Sequence, residues 1–116
     1  MQRVIFMTIS LLFLFAQCGP PRKIDFRTMA QSPNTVIIDV RTVEEFEAGH
    51  IPQSINIPLP DIEQAAERLR GYDNVILICR SGNRSGQAQT LLQTIGLQNV
   101  YNGGGWEEFQ REYLRE

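Results

Sequence analysis

The stretch that most constrains this chain is Asn74 to Gly96, NVILICRSGNRSGQAQTLLQTIG. Val75 to Ile78 is a continuous run of β-branched and aliphatic residues, the pattern of a strand buried on both faces of a parallel sheet. The run ends on Cys79. From Ala88 the apolar positions recur at Leu91, Leu92 and Ile95, the spacing of a helix that rests one face on the sheet, and that helix is expected to begin near Ser85. Between strand and helix lie Arg80, Ser81, Gly82, Asn83 and Arg84. Small and polar residues here can turn their backbone N–H groups inward, and the helix start adds unpaired N–H groups and the positive end of its dipole. Strand, loop and helix together predict a cup for an anion with a thiol at its floor.

The chemistry turns on the protonation state of Cys79. A free thiol titrates near ~8.5, so only about 3% is thiolate at pH 7. Inward amides, a helix N-terminus and two arginines would lower that value and make the thiolate the major, nucleophilic form. The alternative is a cysteine that is simply a small buried hydrophobe, which needs neither arginines nor a Gly/Ser loop. A cup of this kind also suits a phosphate ester. The cysteine phosphatases, however, place five residues between cysteine and arginine, whereas four separate Cys79 from Arg84 and position 85 is a serine.

Three further segments accompany the loop: Asp39-Val40-Arg41, Gly49-His50-Ile51-Pro52 and Gly103-Gly104-Gly105-Trp106. With Cys79 to Ser85, and in this order, they resemble the single-domain rhodanese, or thiosulfate sulfurtransferase, family over about Ile24 to Tyr113. The resemblance implies a doubly wound rhodanese-like α/β fold and a reaction in which Cys79 takes a sulfane sulfur from a small anionic donor, holds it as a persulfide and passes it to a thiol or cyanide. On that reading Arg80, Ser81, Gly82, Asn83, Arg84 and Ser85 hold the donor, and Asp39 and Arg41 stand near the wall of the site in a supporting role. A plainer reading of Asp39 and Arg41 is that they tie down the loop that follows them. No cofactor is implied. A silent binding module or sulfur carrier stands beside the enzyme reading.

The remainder of the chain supports an α/β domain with a mostly parallel sheet covered by helices on both faces. Val36 to Val40 reads as a second buried strand, and its Asp39 must find partners because a buried unpaired carboxylate costs several kcal/mol. Thr42 and Glu45 have capping-box spacing for a short helix that Gly49 ends. His50, the only histidine, sits in a turn and is expected to make a structural hydrogen bond. Ile55 to Ile57 reads as a short strand, and Asp61 with Gln64 as the cap of a helix whose face is Ile62, Ala65, Ala66 and Leu69. Gly96 is a C-cap, Asn99 to Tyr101 a last strand, Gly103 to Gly105 a tight turn, and Trp106, Phe109 and Tyr113 a core-facing stripe. Ile24 to Ala30 is read as a short edge segment.

The N-terminus is a different kind of sequence. Arg3 precedes Val4 to Ala16, thirteen residues that are apolar apart from Thr8 and Ser10, too few to span a bilayer but suited to a secretory signal. Phe15-Ala16-Gln17-Cys18-Gly19 resembles a bacterial lipoprotein cleavage box, although Gln17 and Phe15 depart from its usual residues. The expectation is a signal peptide over 1–17, lipidation of Cys18, a proline-stiffened tether over 18–23 and a rhodanese-like domain over 24–116. That makes an exported periplasmic or cell-envelope lipoprotein held to a membrane by its lipid. Ordinary signal cleavage nearby would instead leave Cys18 a free thiol. Either way Cys79 is the one cysteine of the domain, so packing rather than an internal disulfide must hold it together. A net charge of -2 without a basic stripe argues against nucleic acid, and one histidine with one domain cysteine cannot furnish a metal site.

Overall fold

The structure, a computed structural model, describes residues 23 to 115. The expected signal segment, Cys18 and all of the tether but Lys23 lie outside the described residues. Four strands form one sheet in the order β2-β1-β3-β4, where β1 is Thr35–Asp39, β2 Ile55–Asn56, β3 Asn74–Cys79 and β4 Val100–Gly105. Every pairing is parallel, as expected for strands that read as unbroken apolar runs.

Side-chain alternation along the two central strands divides the core in two. Val36, Ile38, Val75, Leu77 and Cys79 face one layer with Ala66, Leu69, Ala88 and Leu92. Ile37, Ile76 and Ile78 face the other with Ile51 and Phe109, joined by partly buried Phe26, Met29, Trp106 and Tyr113. The first layer carries α3 (Ala66–Leu69) and α4 (Asn83–Thr94), and the second carries α1 (Phe26–Gln31) and α5 (Trp106–Phe109), which runs on as a π turn over Gln110–Leu114. Helices on both faces of a parallel sheet are thus observed, with Cys79 on the α4 side.

Several elements differ from the sequence reading for identifiable reasons. Ile24 to Ala30 holds a helix, not an edge segment: Asp25 caps α1 by accepting from the Thr28 amide and hydroxyl at 3.1 and 2.7 Å, and Phe26 packs on Phe109 and Tyr113. The helix expected after Asp61 is a 3-10 turn, Leu59–Asp61, then turns and the single α-helical turn of α3, with no side-chain cap. Its amides bond three residues back, Ala65 to Ile62 and Ala66 to Glu63, yet Ile62, Ala66 and Leu69 are still buried. Helix α4 starts two residues before Ser85, and it closes in a Schellman turn in which Leu97 N–H reaches Leu92 O and Gly96 N–H reaches Gln93 O. Leu97 rather than Ile95 therefore enters the core. The capping box of α2 (Val43–Ala48) is present as read, with Thr42 Oγ1 and Glu45 N 3.2 Å apart.

The glycine run is not a tight turn but the end of β4. A Cβ on Gly103 would stand 2.9 Å from Ile76 Cγ2 and 3.0 Å from both Ile78 and Phe109, and one on Gly105 would stand 2.8 Å from the Arg80 carbonyl oxygen. The glycines let β4 lie hard against β3, with a register irregularity that pairs Leu77 with Asn102 and Ile78 with Gly104. Gly103→Ala should therefore destabilise the domain by about 1–3 kcal/mol in urea unfolding. Gly71→Ala, whose Cβ would meet nothing nearer than 3.5 Å, should change the midpoint little.

Candidate active site

Strand β3 delivers Cys79 to the carboxyl edge of the sheet, where it is 1% exposed. The chain turns there at Gly82, the residue before α4, with φ at +97°. Its Cβ would come within 3.3 Å of Gly104 Cα, so glycine is required for both the left-handed turn and the close approach. The Gly82 amide donates to Cys79 Sγ at 3.0 Å, and Ser85 Oγ lies 3.3 Å from the same sulfur. Because α4 begins at Asn83, its first turn sits directly over the sulfur. Burial pushes the Cys79 thiol up, but the Ser85 hydroxyl and the amides of Ser85, Ser81 and Gly82 together outweigh it, and the net displacement is downward.

Asn102, a residue the sequence reading passed over, holds this arrangement from β4. Its Nδ2 donates to the Gly82 carbonyl at 3.0 Å and its Oδ1 accepts from the Gly104 amide at 2.9 Å, which fixes the orientation of the side-chain amide. Ser85 must then be the donor in its 2.7 Å contact with Asn102 Oδ1. One hydroxyl proton cannot serve both Asn102 and the sulfur. In the neutral thiol, Cys79 donates to Ser85 and Ser85 to Asn102. On ionisation the Ser85 proton turns to the sulfur, and Asn102 Oδ1 keeps the Gly104 N–H. The only sequence hint was an asparagine preceding three glycines, which reads as turn chemistry.

The arginines fall out unequally. Arg84 is committed to Glu45 of α2 by a two-pronged contact, Nη1 to Oε1 at 2.6 Å and Nη2 to Oε2 at 2.9 Å. The Arg84 guanidinium, with help from Thr42, holds the Glu45 carboxyl at about 2 against the partial opposition of burial. The side chains of Arg80 and Asn83 are exposed, and Asn83 Oδ1 accepts from Gln87 at 3.0 Å. Asp39, fully buried, is gripped by Arg41 through Nε and Nη2, the latter at 2.7 Å. Arg41 also donates to the Gly49 carbonyl at 2.8 Å and lies 4.6 Å from the Trp106 ring centre. The pair ties down the loop ending α2, the plainer of the two readings, and in doing so makes one wall beside the thiol loop. That wall belongs to a depression of about 310 Å³ lined by Arg41, Glu45, Gly49, Arg80, Trp106 and Glu107. His50 Nδ1–H donates to the Phe46 carbonyl at 2.8 Å and the ring stacks on that of Phe46, a structural role as expected.

The floor of the site is thus a buried cysteine at a strand end, hydrogen-bonded by its own loop. The model of the rhodanese-like domain matches residues 24–112. The chain belongs to the rhodanese-like family. It is 36% identical over 73 residues to the thiosulfate sulfurtransferase PspE of Escherichia coli, covering 61% of this chain and 70% of that protein. It is 38% identical over 90 residues to a mitochondrial putative thiosulfate sulfurtransferase of Schizosaccharomyces pombe, covering 66% and 63%. A putative sulfur carrier protein of Bacillus subtilis, YrkF, is 41% identical over 66 residues, covering 57% and 36%, so the chain spans only part of the length of these last two relatives. Among solved structures, a rhodanese with anions from E. coli superposes with a TM-score of 0.58 at 33% identity, covering 64% of this chain and 89% of that one.

The hydroxyl switch sets an expectation for this rhodanese-like domain. Alkylation of Cys79 should show a pH midpoint below that of a free thiol, rising with pH as the thiolate forms. A hydrogen bond to a charged group is worth roughly 1.5–3 kcal/mol, so Ser85→Ala should move that midpoint up by about one to two pH units. Iodoacetamide rates followed from pH 4 to 10 check both.

Proposed function

We infer that the domain is a sulfurtransferase that carries sulfane sulfur as a persulfide on Cys79. The observation that carries this reading is a 1%-exposed sulfur receiving the Gly82 amide at 3.0 Å, with its titration displaced toward the thiolate. Family membership and the thiosulfate sulfurtransferases among its relatives support it. In the first half-reaction the Cys79 thiolate attacks the outer sulfur of a donor such as thiosulfate. A Cys79 S–S bond forms, the donor's S–S bond breaks, and sulfite departs with the electron pair. In the second, a thiolate or cyanide attacks the outer sulfur of the persulfide and Cys79 leaves as thiolate. No base is needed at the nucleophile in its thiolate form, which the Ser85 hydroxyl and the loop amides favour, and no net oxidation occurs.

In the donor complex the loop from Arg80 to Ser85 surrounds the transferred sulfur: the amides of Ser81, Gly82 and Ser85 face it, and Arg80 and Asn83 stand at the rim. The same amides that solvate the thiolate would receive negative charge on the outer sulfur of the persulfide. Thiosulfate alone should add the mass of one sulfur atom to the protein, cyanide or a thiol should remove it, and Cys79→Ser should abolish both. Initial rates should follow ping-pong kinetics. A wild-type protein that gains the sulfur mass from neither thiosulfate nor cysteine persulfide would sink the proposal. The resemblance to a putative sulfur carrier favours a second reading, a persulfide formed but delivered only to a specific partner, in which loading is fast and turnover with cyanide or small thiols is slow.

We propose in addition that the domain lies outside the cytoplasm, anchored through lipidated Cys18. The Arg3-led apolar run and the sequence around Cys18 support it. Cys18→Ser should move the protein from the membrane pellet to the soluble fraction of an expressing bacterium and abolish incorporation of labelled palmitate. Unchanged fractionation would refute the anchor.

A further inference from the structure

Which sulfur donor the site accepts depends on the charge it can offer, and the arginines near the thiol are not equally able to offer it. Arg41 is matched by Asp39 at 2.7 Å and Arg84 by Glu45 at 2.6 and 2.9 Å. Glu45 is itself held in place: its Oε1 also accepts from the Thr42 amide at 3.3 Å and the Thr42 hydroxyl at 3.2 Å, and its own amide donates to Thr42 Oγ1. The capping box of α2 and the arginine of the thiol loop therefore share one carboxylate. Only Arg80 has no hydrogen-bond or ion-pair partner among the described residues, and Glu107 lines the same depression. By formal charge Arg41, Arg80 and Arg84 match Asp39, Glu45 and Glu107, but only Arg41 and Arg84 touch a carboxylate, so an ionised Cys79 leaves the locality net negative with solvent-exposed Arg80 as its one unpaired cation among the described residues.

We propose that Glu45 is a specificity-determining residue that locks Arg84 away from the donor and turns the site from dianionic thiosulfate toward hydropersulfides. This rests on the sulfurtransferase reading above. A dianion approaching a thiolate needs cations held close to it, and because the Arg84 guanidinium gives both its terminal nitrogens to a carboxylate, only solvent-exposed and therefore well-screened Arg80 is left to offset the repulsion. A hydropersulfide, RSSH, brings at most one charge at its reacting end. The Cys79 thiolate bonds to its outer sulfur, the S–S bond breaks, and RS⁻ leaves with the electron pair, so no sulfonate has to be held. The organic body would then lie in the depression lined by Gly49, Arg80, Trp106 and Glu107.

The test is Cys79 persulfide formation from thiosulfate and from cysteine persulfide, in wild type, Glu45→Gln and the Glu45→Gln, Arg84→Gln double variant, at low and high salt. The Glu45→Gln change keeps an acceptor for Thr42 but frees Arg84. It should raise the ratio of kcat/KM for thiosulfate to that for cysteine persulfide by about 10-fold or more at low ionic strength, the size of one charge-assisted contact. The double variant should lose the gain. Wild-type loading from thiosulfate should become faster as salt screens repulsion, and in Glu45→Gln the trend should weaken or reverse. An unchanged donor ratio in folded Glu45→Gln, or a gain that survives loss of Arg84, overturns the role of Glu45. The salt trend needs no variant: wild-type thiosulfate loading that falls steeply with salt overturns it even if Glu45→Gln fails to fold. Loading from neither donor removes the sulfurtransferase reading as well, and loading from both with no response at Glu45 removes only the lock.

Discussion

A sulfur atom withdrawn from water to 1% exposure can be anionic only if the protein replaces the solvent it has lost. Here the replacement is one hydroxyl, that of Ser85, and otherwise main chain. Amides of Ser81, Gly82 and Ser85 lower the charge's cost, and they face the sulfur only because β3 stops at Cys79 and α4 starts four residues later at Asn83. Three residues make the reversal, and one of them must adopt a left-handed conformation, at Gly82. The rest of the architecture can be read as what keeps that short connection in place. Strand β4 abuts it through glycines, and Asn102 pins the Gly82 carbonyl from outside the loop.

Backbone solvation has an advantage over solvation by arginine. Amides fixed by a strand end and a helix start do not have to reorganise when the thiol ionises, so little energy is spent turning dipoles as the charge appears. A long cationic side chain has several rotatable bonds and a competing partner, as Arg84 shows by lying in the grip of Glu45. Ser85 is the one group of the floor that must move, and it moves by rotation of a hydroxyl whose alternative acceptor, Asn102, is left satisfied by Gly104.

The parts of this arrangement differed in how far they could be read from residue order. Val75 to Ile78 was unmistakable because a four-residue aliphatic run bounded by asparagine and cysteine leaves few options but a buried strand, and the capping box at Thr42 and Glu45 was legible because both partners lie within one turn. Local signals failed where the deciding contact was distant. Gly103 to Gly105 resembled a turn, since nothing in the residues themselves shows that Ile76, Phe109 and the Arg80 carbonyl would crowd any Cβ there. Nothing around Asn102 in the sequence marks it as a partner of Gly82 and Ser85, a contact made only because β4 lies beside β3. The ion pair of Arg84 could not be read, because its partner Glu45 is separated from it by the whole of β2, α3 and β3. Local sequence told which residues are charged but not which charges cancel. The helix at Phe26 was missed for a milder reason: one turn and a half with a single Asp cap carries too little periodicity to distinguish it from an edge segment.

The site therefore divides into a floor and a rim built from different elements. Cys79, Gly82, Ser85 and Asn102 sit on β3, α4 and β4, the best-packed part of the sheet, where aliphatic side chains on both faces are almost wholly buried. Glu45, Arg41 and Trp106 sit on or beside α2 and α5, short helices near the protein surface, α2 burying no residue of its own and α5 only Phe109. A change at the rim leaves the amides around the sulfur untouched and so alters what approaches the thiol without altering the thiol. The exception is Arg84, which leaves the first turn of α4 at the floor and meets its partner at the rim. Through that one ion pair the charge of α2 is coupled to the loop that carries the chemistry.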